Sequence, residues 1–360
     1  MAIFTDVFED VTKKGRKIPT SDYHESGLHP IIDQGQSEIA GYTDEENGLF
    51  TDIPAIIFGD HTRVLKYVDT PCFLGADGVK LLRAKIPNPN YKYLYYVLSN
   101  VNIPNTGYNR HFKWLKEVDI PLPNADEQQK IVDRLDKVSE LIALQKEQLA
   151  KLDQLVKSRF IELFGDIANG PKYSSVPLGT ICSTLSGGTP TTRFPEYYQG
   201  DIPWISTPYL GNNHINGSSA KAYITEAAIK NSATHLIPAN TIMFGIRVGV
   251  GKSSIIDEPM CANQDIVALM DIDTSKYNLL FIKHVLDGYQ SHFDSIKKGA
   301  TILGVTTDDL KKVMIPMVGI ELQNLFAAFV EQTDKSKLAI QQSLEKLETL
   351  KKSLMQECFG

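Results

Sequence analysis

The run "IMFGIRVGVGKSSII", Ile242 to Ile256, closes on Gly251-Lys252-Ser253, residue types that can cradle a nucleotide phosphate. A phosphate loop needs the spacing G-x-x-x-x-G-K-[ST], so that backbone N–H groups and the lysine converge on one phosphate. Counting back from Gly251, the first glycine belongs at 246, which is Ile246; Gly245 is one place early. Adenine methylation would use an [Asp/Asn/Ser]-Pro-Pro-aromatic run. "NPNY", Asn88 to Tyr91, has Asn90 where the second proline belongs. No glycine loop at a strand end accompanies it to hold S-adenosylmethionine, and it reads as a turn before "YKYLYYVL". Cys72, Cys182, Cys261 and Cys358 lie far apart with no C-x-x-C pair, which excludes a zinc site or a disulfide framework and leaves small buried hydrophobes. No His, Ser and Asp set has the spacing of a nucleophile and its base. The chain reads as non-catalytic, with no metal and no cofactor of its own.

The elements that would hold such residues are written twice. "VDIPLPNADEQQKIVDRLDKV" starts at Val118 and "VMIPMVGIELQNLFAAFVEQT" at Val313. The same offset carries "KLDQLVKSRFIELFG", Lys151 to Gly165, onto "KLETLKKSLMQECFG", Lys346 to Gly360. Upstream, "IIFG" from Ile56 matches "IMFG" from Ile242, and "GADGVKLL" from Gly75 resembles "NQDIVALM" from Asn263. "FGDHTRVLKYV" then stands where the second half has "FGIRVGVGKSS". His61 falls on Arg247 and Lys66 on Lys252, while Gly249 and Gly251 face Arg63 and Leu65. A phosphate cradle depends on those later glycines, so the run reads as strand–turn–strand in a repeated domain. Each half is a mixed α and β globular part followed by a long helix. "IPAIIFG" and "SSIIDEP" read as strands, "YLYYVLSN" and "LLFIKHVLDGY" as short helices.

The first long helix has Asp126 as its expected N-cap, with Gln129 three places on. Its apolar spacing is 4-3: Ile131, Leu135, Val138, Ile142, Gln145, Leu149, Leu152, Val156, Arg159 and Leu163. That is a coiled-coil seam. The second helix has Phe326, Val330, Thr333, Lys337, Ile340, Leu344, Leu347, Lys351, Leu354 and Cys358 at the same positions, a better seam from Ile340 on. Two such helices in one chain most simply pack antiparallel, with the globular parts at opposite ends. Each is a rod of roughly 58 Å at ~1.5 Å per residue. The expected fold is α+β, two globular domains separated by two long antiparallel helices, with a pseudo-two-fold internal repeat. The expected boundaries are 1–123, 124–165, 166–318 and 319–360.

The 360 residues carry a net charge of −6, which counts against DNA binding by a lone chain and is compatible with partners that supply positive surface. No apolar run approaches ~20 residues. The first residues are acidic where a signal peptide needs an apolar core, so a cytoplasmic location is expected.

Two variable globular halves, each followed by "IPLP…EQQKIVDRLD…LKKS…FG", resemble the specificity subunit of a type I restriction-modification system. "LSGGTPTTRFPEYYQGDIPWIS" and "GDHTRVLKYVDTPCFLGADGVKLL" add to the resemblance, which covers essentially the whole chain. It implies two target recognition domains, each reading half of a bipartite site in double-stranded DNA, with the helices as a ruler between them. It implies docking of two modification subunits, which carry S-adenosylmethionine and the adenine-methylating sites, and of restriction subunits that cut. The first half is short beside typical recognition domains and reads as a compact variant. A coiled-coil scaffold with two protein-binding domains, or a stand-alone methyltransferase, are the alternatives.

Base-reading candidates are polar and basic residues of loops between strands. In the first domain they are His61, Thr62, Arg63 and Lys66, with Tyr108, Asn109, Arg110, His111 and Lys113. In the second they are Thr189, Thr191, Arg193, Arg247, Lys252, Lys297, Lys298 and Thr301. Gly187 and Gly188 would let backbone approach a phosphate or make a turn. Trp204 and Phe244 read as core.

Overall fold

The computed structural model describes residues 1–75, 77–107, 109–167, 170–299 and 303–360. They form two compact units, Met1–Glu147 with Ile340–Gly360, and Gln148–Ala339. In the first unit an antiparallel sheet has the order Phe8–Asp10, Val79–Ala84, Ala55–Gly59, Leu65–Val68. A smaller sheet runs Gly41–Thr43, His29–Ile32, Phe73–Leu74, antiparallel and then parallel.

"AIIFG" is apolar throughout because both faces of its strand are covered. Ile56 and Phe58 face a core closed by helix α1 (Tyr91–Ser99), whereas Ala55 and Ile57 face one that includes Ile32 and Leu74. That is the period-2 alternation of a strand. The Asn90 side chain caps α1 by accepting the Tyr93 N–H at 3.1 Å. Asn90, the residue that spoils the methyltransferase motif, thus has a structural task.

The second unit repeats this plan. Its larger sheet has the order Ser183–Ser186, Ile266–Met270, Thr241–Gly245, Ser253–Ile256, with His214–Ile215 added in parallel at the edge. Its smaller sheet is Ala222–Ile224, Ile202–Ile205, Cys261–Ala262, again antiparallel and then parallel. Ile242 and Phe244 face one core and Met243 another. The Gly-Lys-Ser run enters a strand antiparallel to Thr241–Gly245 and not a helix, so its N–H groups cannot gather as a phosphate loop requires.

Helix α2 spans Ala125–Phe164, α3 Leu279–Gly288 and α4 Ile320–Phe359. The N-cap of α2 is Asn124, whose Oδ1 accepts the Glu127 N–H at 3.0 Å, and not Asp126. Every seam position named above, in both long helices, is buried or half-buried. The two helices pack antiparallel inside each unit. In the first, Arg134 meets Glu357 at 3.2 Å, Lys146 meets Glu348 at 3.0 Å, and Gln145 donates to Ser343 Oγ at 2.8 Å. In the second, Asp153 meets Lys337 at 2.5 Å. Ion pairs this exposed contribute ~0–1 kcal/mol each, so the apolar seam supplies most of the cohesion.

Each globular part is closed by the helix ends that reach it. Leu354, Met355 and Phe359 cover the first core, with the Phe359 ring 5.8 Å from Tyr93. Phe160, Phe164 and Phe326 close the second, with Phe164 4.8 Å from Phe281. Among the described residues no helix is long and apolar enough to cross a membrane.

Candidate nucleic-acid interface

In the first unit the strand pair Ala55–Gly59 and Leu65–Val68 is joined by Asp60–Val64, where the sequence placed three candidates, His61, Thr62 and Arg63, with Lys66 in the strand that follows. The other candidate segment, around Asn109–Lys113, is stitched to this turn by Asp60. The Asp60 carbonyl accepts the His111 N–H at 2.8 Å and lies 3.0 Å from His111 Nδ1. Its carboxylate accepts the Phe112 N–H at 2.8 Å. Two stretches far apart in sequence therefore share one end of the domain.

This arrangement corrects two assignments, Lys66 and His111, and engages Arg63 within the chain. Lys66 is only 2% exposed; its Nζ donates to the Ser37 carbonyl at 2.5 Å and lies 3.5 Å from Asp33. His111 is fully buried on Asp60. Arg63, at φ 63°, turns its guanidinium to the Ile103 carbonyl at 3.1 Å. A strand's alternation sends Lys66 inward, and the carbonyl-lined loops then need a donor. Thr62, Asn109, Arg110 and Lys113 are exposed, and His61 is half-buried. Lys113 also lies over the Trp114 ring at 5.0 Å. Tyr108 lies outside the described residues.

Gln34 is the organiser that sequence reading missed. Its amide donates to the Asp77 carbonyl at 2.9 Å and accepts the His61 N–H at 3.2 Å, while its own carbonyl accepts the Thr62 hydroxyl at 2.6 Å. Nothing in "IIDQGQ" marks one glutamine over another, because the role arises only when three loops meet.

The second unit has a comparable gathering. The register pairs Phe244 with Ser253 where the first unit pairs Phe58 with Leu65. The second turn is thus two residues longer. Lys66, opposite Ile57, corresponds to Ser254, opposite Met243, and the expected match of Lys66 with Lys252 is wrong. His61 and Arg247 do correspond when counted from Gly59 and Gly245. The Asp60 N–H donates to Gly78 and the Ile246 N–H to Asp265 in the same manner. Val248, next to Arg247, has φ 43°, a strained conformation for a β-branched residue. The longer tip lifts Arg247 and Lys252 into solvent.

Two more segments join this tip. The Val305 N–H donates to the Ile246 carbonyl at 2.9 Å, and Arg247 and Lys298 each bridge to Gly304. From the other side, the Gly187 N–H donates to Ile266 at 2.9 Å and the Gly188 N–H to Ala262 at 2.8 Å. A Cβ on Gly187 would collide with the 262–263 backbone, and one on Gly188 with the 233–234 backbone. The two glycines therefore bring "SGGTP" down onto the next loop. There Thr189 donates its hydroxyl to the amide oxygen of Gln264.

The result is a cleft of about 470 Å³ lined by Arg247, Gln264, Asp265, Lys298, Thr306 and Asp309, among others. Its acids are engaged within the chain. Asp265 accepts the Asn263 amide at 3.2 Å and faces Arg247 at 3.9 Å. Asp309 caps a short helix with Thr306, whose hydroxyl and N–H hold its carboxyl below the usual range. Of the other candidates, Thr191 and Arg193 are exposed, and the Thr191 hydroxyl accepts the Arg193 N–H at 3.3 Å. Lys297 is half-buried on Asp294. Thr301 lies outside the described residues. Trp204 and Phe244 are core, the indole donating to the Gly188 carbonyl at 3.0 Å. Burial pushes the Cys72 thiol up to about 12 and those of Cys182 and Cys261 to about 11, so none is a nucleophile at neutral pH.

Residues 4–154 and 172–351 match the model of the type I restriction modification DNA specificity domain. The specificity subunit of the Escherichia coli type I restriction enzyme EcoR124I/EcoR124II is 29% identical over 342 residues, 88% of this chain and 82% of that one. The MjaIX specificity subunit of Methanocaldococcus jannaschii is 29% identical over 171 residues, 47% of this chain and 40% of that one. The crystal structure of a type I system S subunit from M. genitalium has the same fold, with a TM-score of 0.61 at 16% identity, covering 99% of this chain and 95% of that one. A fold written twice, polar loops gathered in each copy and a family match over both halves lead to one conclusion: the chain belongs to the type I restriction-modification DNA specificity family, the non-catalytic component that selects the sequence.

Proposed function

We propose that this chain reads a two-part site in double-stranded DNA, one part with each globular domain. The carrying observation is that equivalent strand–turn–strand tips each gather polar loops, yet present different side chains: His61 and Thr62 in one, Arg247 and Lys252 in the other. One plan with two chemistries suits two unlike half-sites. The paired helices α2 and α4 set the gap between them and offer docking faces to two modification subunits, which bring S-adenosylmethionine and the methylating sites. Restriction subunits join that complex in the cytoplasm. Partners also account for DNA binding by a chain of net charge −6.

The test maps N6-methyladenine in a host carrying this chain and its modification subunit. A two-part methylated motif that disappears when the chain is deleted is the expected result; methylation that persists unchanged would sink the proposal.

A further inference from the structure

Gln264, in the second domain, has no role in the assignment above. Gln264 is exposed in the loop between Cys261–Ala262 and Ile266–Met270, on the cleft that also holds Arg247 and Lys298. We infer that Gln264 reads an adenine edge in the half-site of the second domain, an inference that rests on the function proposed above.

The chemistry follows from what the amide has already used. The Thr189 hydroxyl occupies one lone pair of Gln264 Oε1. The other lone pair and the two Nε2 hydrogens have no further partner among the described residues. A carboxamide with one acceptor and one donor side by side matches the adenine N6–H and N7 in the major groove; guanine offers two acceptors and cytosine one donor. The neighbouring acids do not compete, because Asp265 is taken by Asn263 and Arg247, and Asp309 by Thr306.

The amide is also held in place. Gly187 and Gly188 fix the strand end that carries Thr189, and Thr189 fixes the amide. A reader oriented in advance loses less rotamer freedom on binding. Thr189 is therefore a positioning residue and Gln264 the reader. Arg247, across the cleft, has the donors for guanine, and Lys298 those for a phosphate. Gly75 and Asn263 correspond, since each N–H donates to the end of the equivalent strand, at Ile32 and Ile205. One residue further on, the first half has Ala76, which carries no base-reading group.

The experiment uses the full chain with its modification subunit and maps N6-methyladenine for the wild type, Gln264→Ala, Gln264→Glu and Thr189→Val. In Gln264→Ala, one position of one half-site loses its base preference, discrimination falling roughly tenfold or more, and the other half-site is unchanged. In Gln264→Glu, which keeps the size, preference at that position moves from adenine toward cytosine, whose N4 donates to a carboxylate. Thr189→Val blurs the same position less than Gln264→Ala does. An unaltered motif in both Gln264 variants would overturn the inference. So would an equal loss at every sequence in both variants with thermal unfolding unchanged. A wild-type chain giving no two-part motif would instead remove the function proposed above.

Discussion

Lys66 and His111 have the charge and the hydrogen-bonding capacity of DNA contacts, and both are spent inside the protein. Residue type told what each side chain can bond, but not on which side of the backbone it would find a partner. For Lys66 the strand alternation already answered that, since it shares a face with the buried Val68 of "LKYV". Gln34 and Gln264 were illegible for the opposite reason: each acts through loops that only the fold brings together. His284 is a residue whose burial has a measurable cost. It sits on α3 with its ring 5.2 Å from Phe326, and burial pushes its pKa down to about 4, against the attraction of Asp287, with Lys283, Asp334 and Lys337 also nearby. The unfolded chain takes up this proton near pH 6.5 and the folded chain does not. Stability is thus complete above that pH and falls as the pH drops toward about 4, by on the order of 3 kcal/mol. The urea midpoint of His284→Leu should therefore rise relative to that of wild type as the pH falls through this window, and parallel curves would refute the assignment.

At the scale of elements, the long helices were the most legible part. The positions named by their 4-3 spacing are all buried or half-buried, because a period sustained over many turns leaves a helix one face to bury. Val132, Phe160 and Phe164, buried in the globular cores, lie off that spacing. The cap was harder, since Asn124 and Asp126 both suit the chemistry and only geometry chooses. The repeated glutamine after each turn has a physical meaning. Gln128 donates to the Pro123 carbonyl at 2.9 Å, and Gln323, at the matching place, to the Val318 carbonyl at 2.7 Å. Gln323 is fully buried and also serves the Lys276 carbonyl at 3.0 Å and the Asn278 N–H at 2.8 Å. Replacing it with leucine strands three backbone groups and should cost about 2–3 kcal/mol, whereas Gln128→Leu, half-buried with one bond, should cost about 1 kcal/mol or less. Equal losses in chemical denaturation would contradict this account.

For the whole molecule, the internal repeat was readable and its loop lengths were not. The offset between the halves is constant through the helices, where an insertion would break the seam. It fails at the strand–turn–strand tips, where two added residues cost little. Hence the sequence placed Arg247 correctly and Lys252 incorrectly. If the helices set the gap between half-sites, one heptad added to α2 and to α4 keeps the seam in phase and lengthens each helix by about 10 Å. The unread gap in the methylated motif should then widen by about three base pairs at ~3.4 Å each, with both half-sites unchanged. A gap of the original length would show that the helices are no ruler.

The closing of the first core by Leu354, Met355 and Phe359 has a consequence for biosynthesis. The second unit is one continuous stretch, Gln148–Ala339, and can complete itself as soon as it leaves the ribosome. The first unit waits for Ile340–Gly360, which are made only after the whole of the second unit. At ~5–20 residues per second, its apolar surface stays open for roughly ten seconds or more after its own strands have emerged. The domain translated first is the one finished last, and a chain released early would carry an intact second domain beside an unsealed first one.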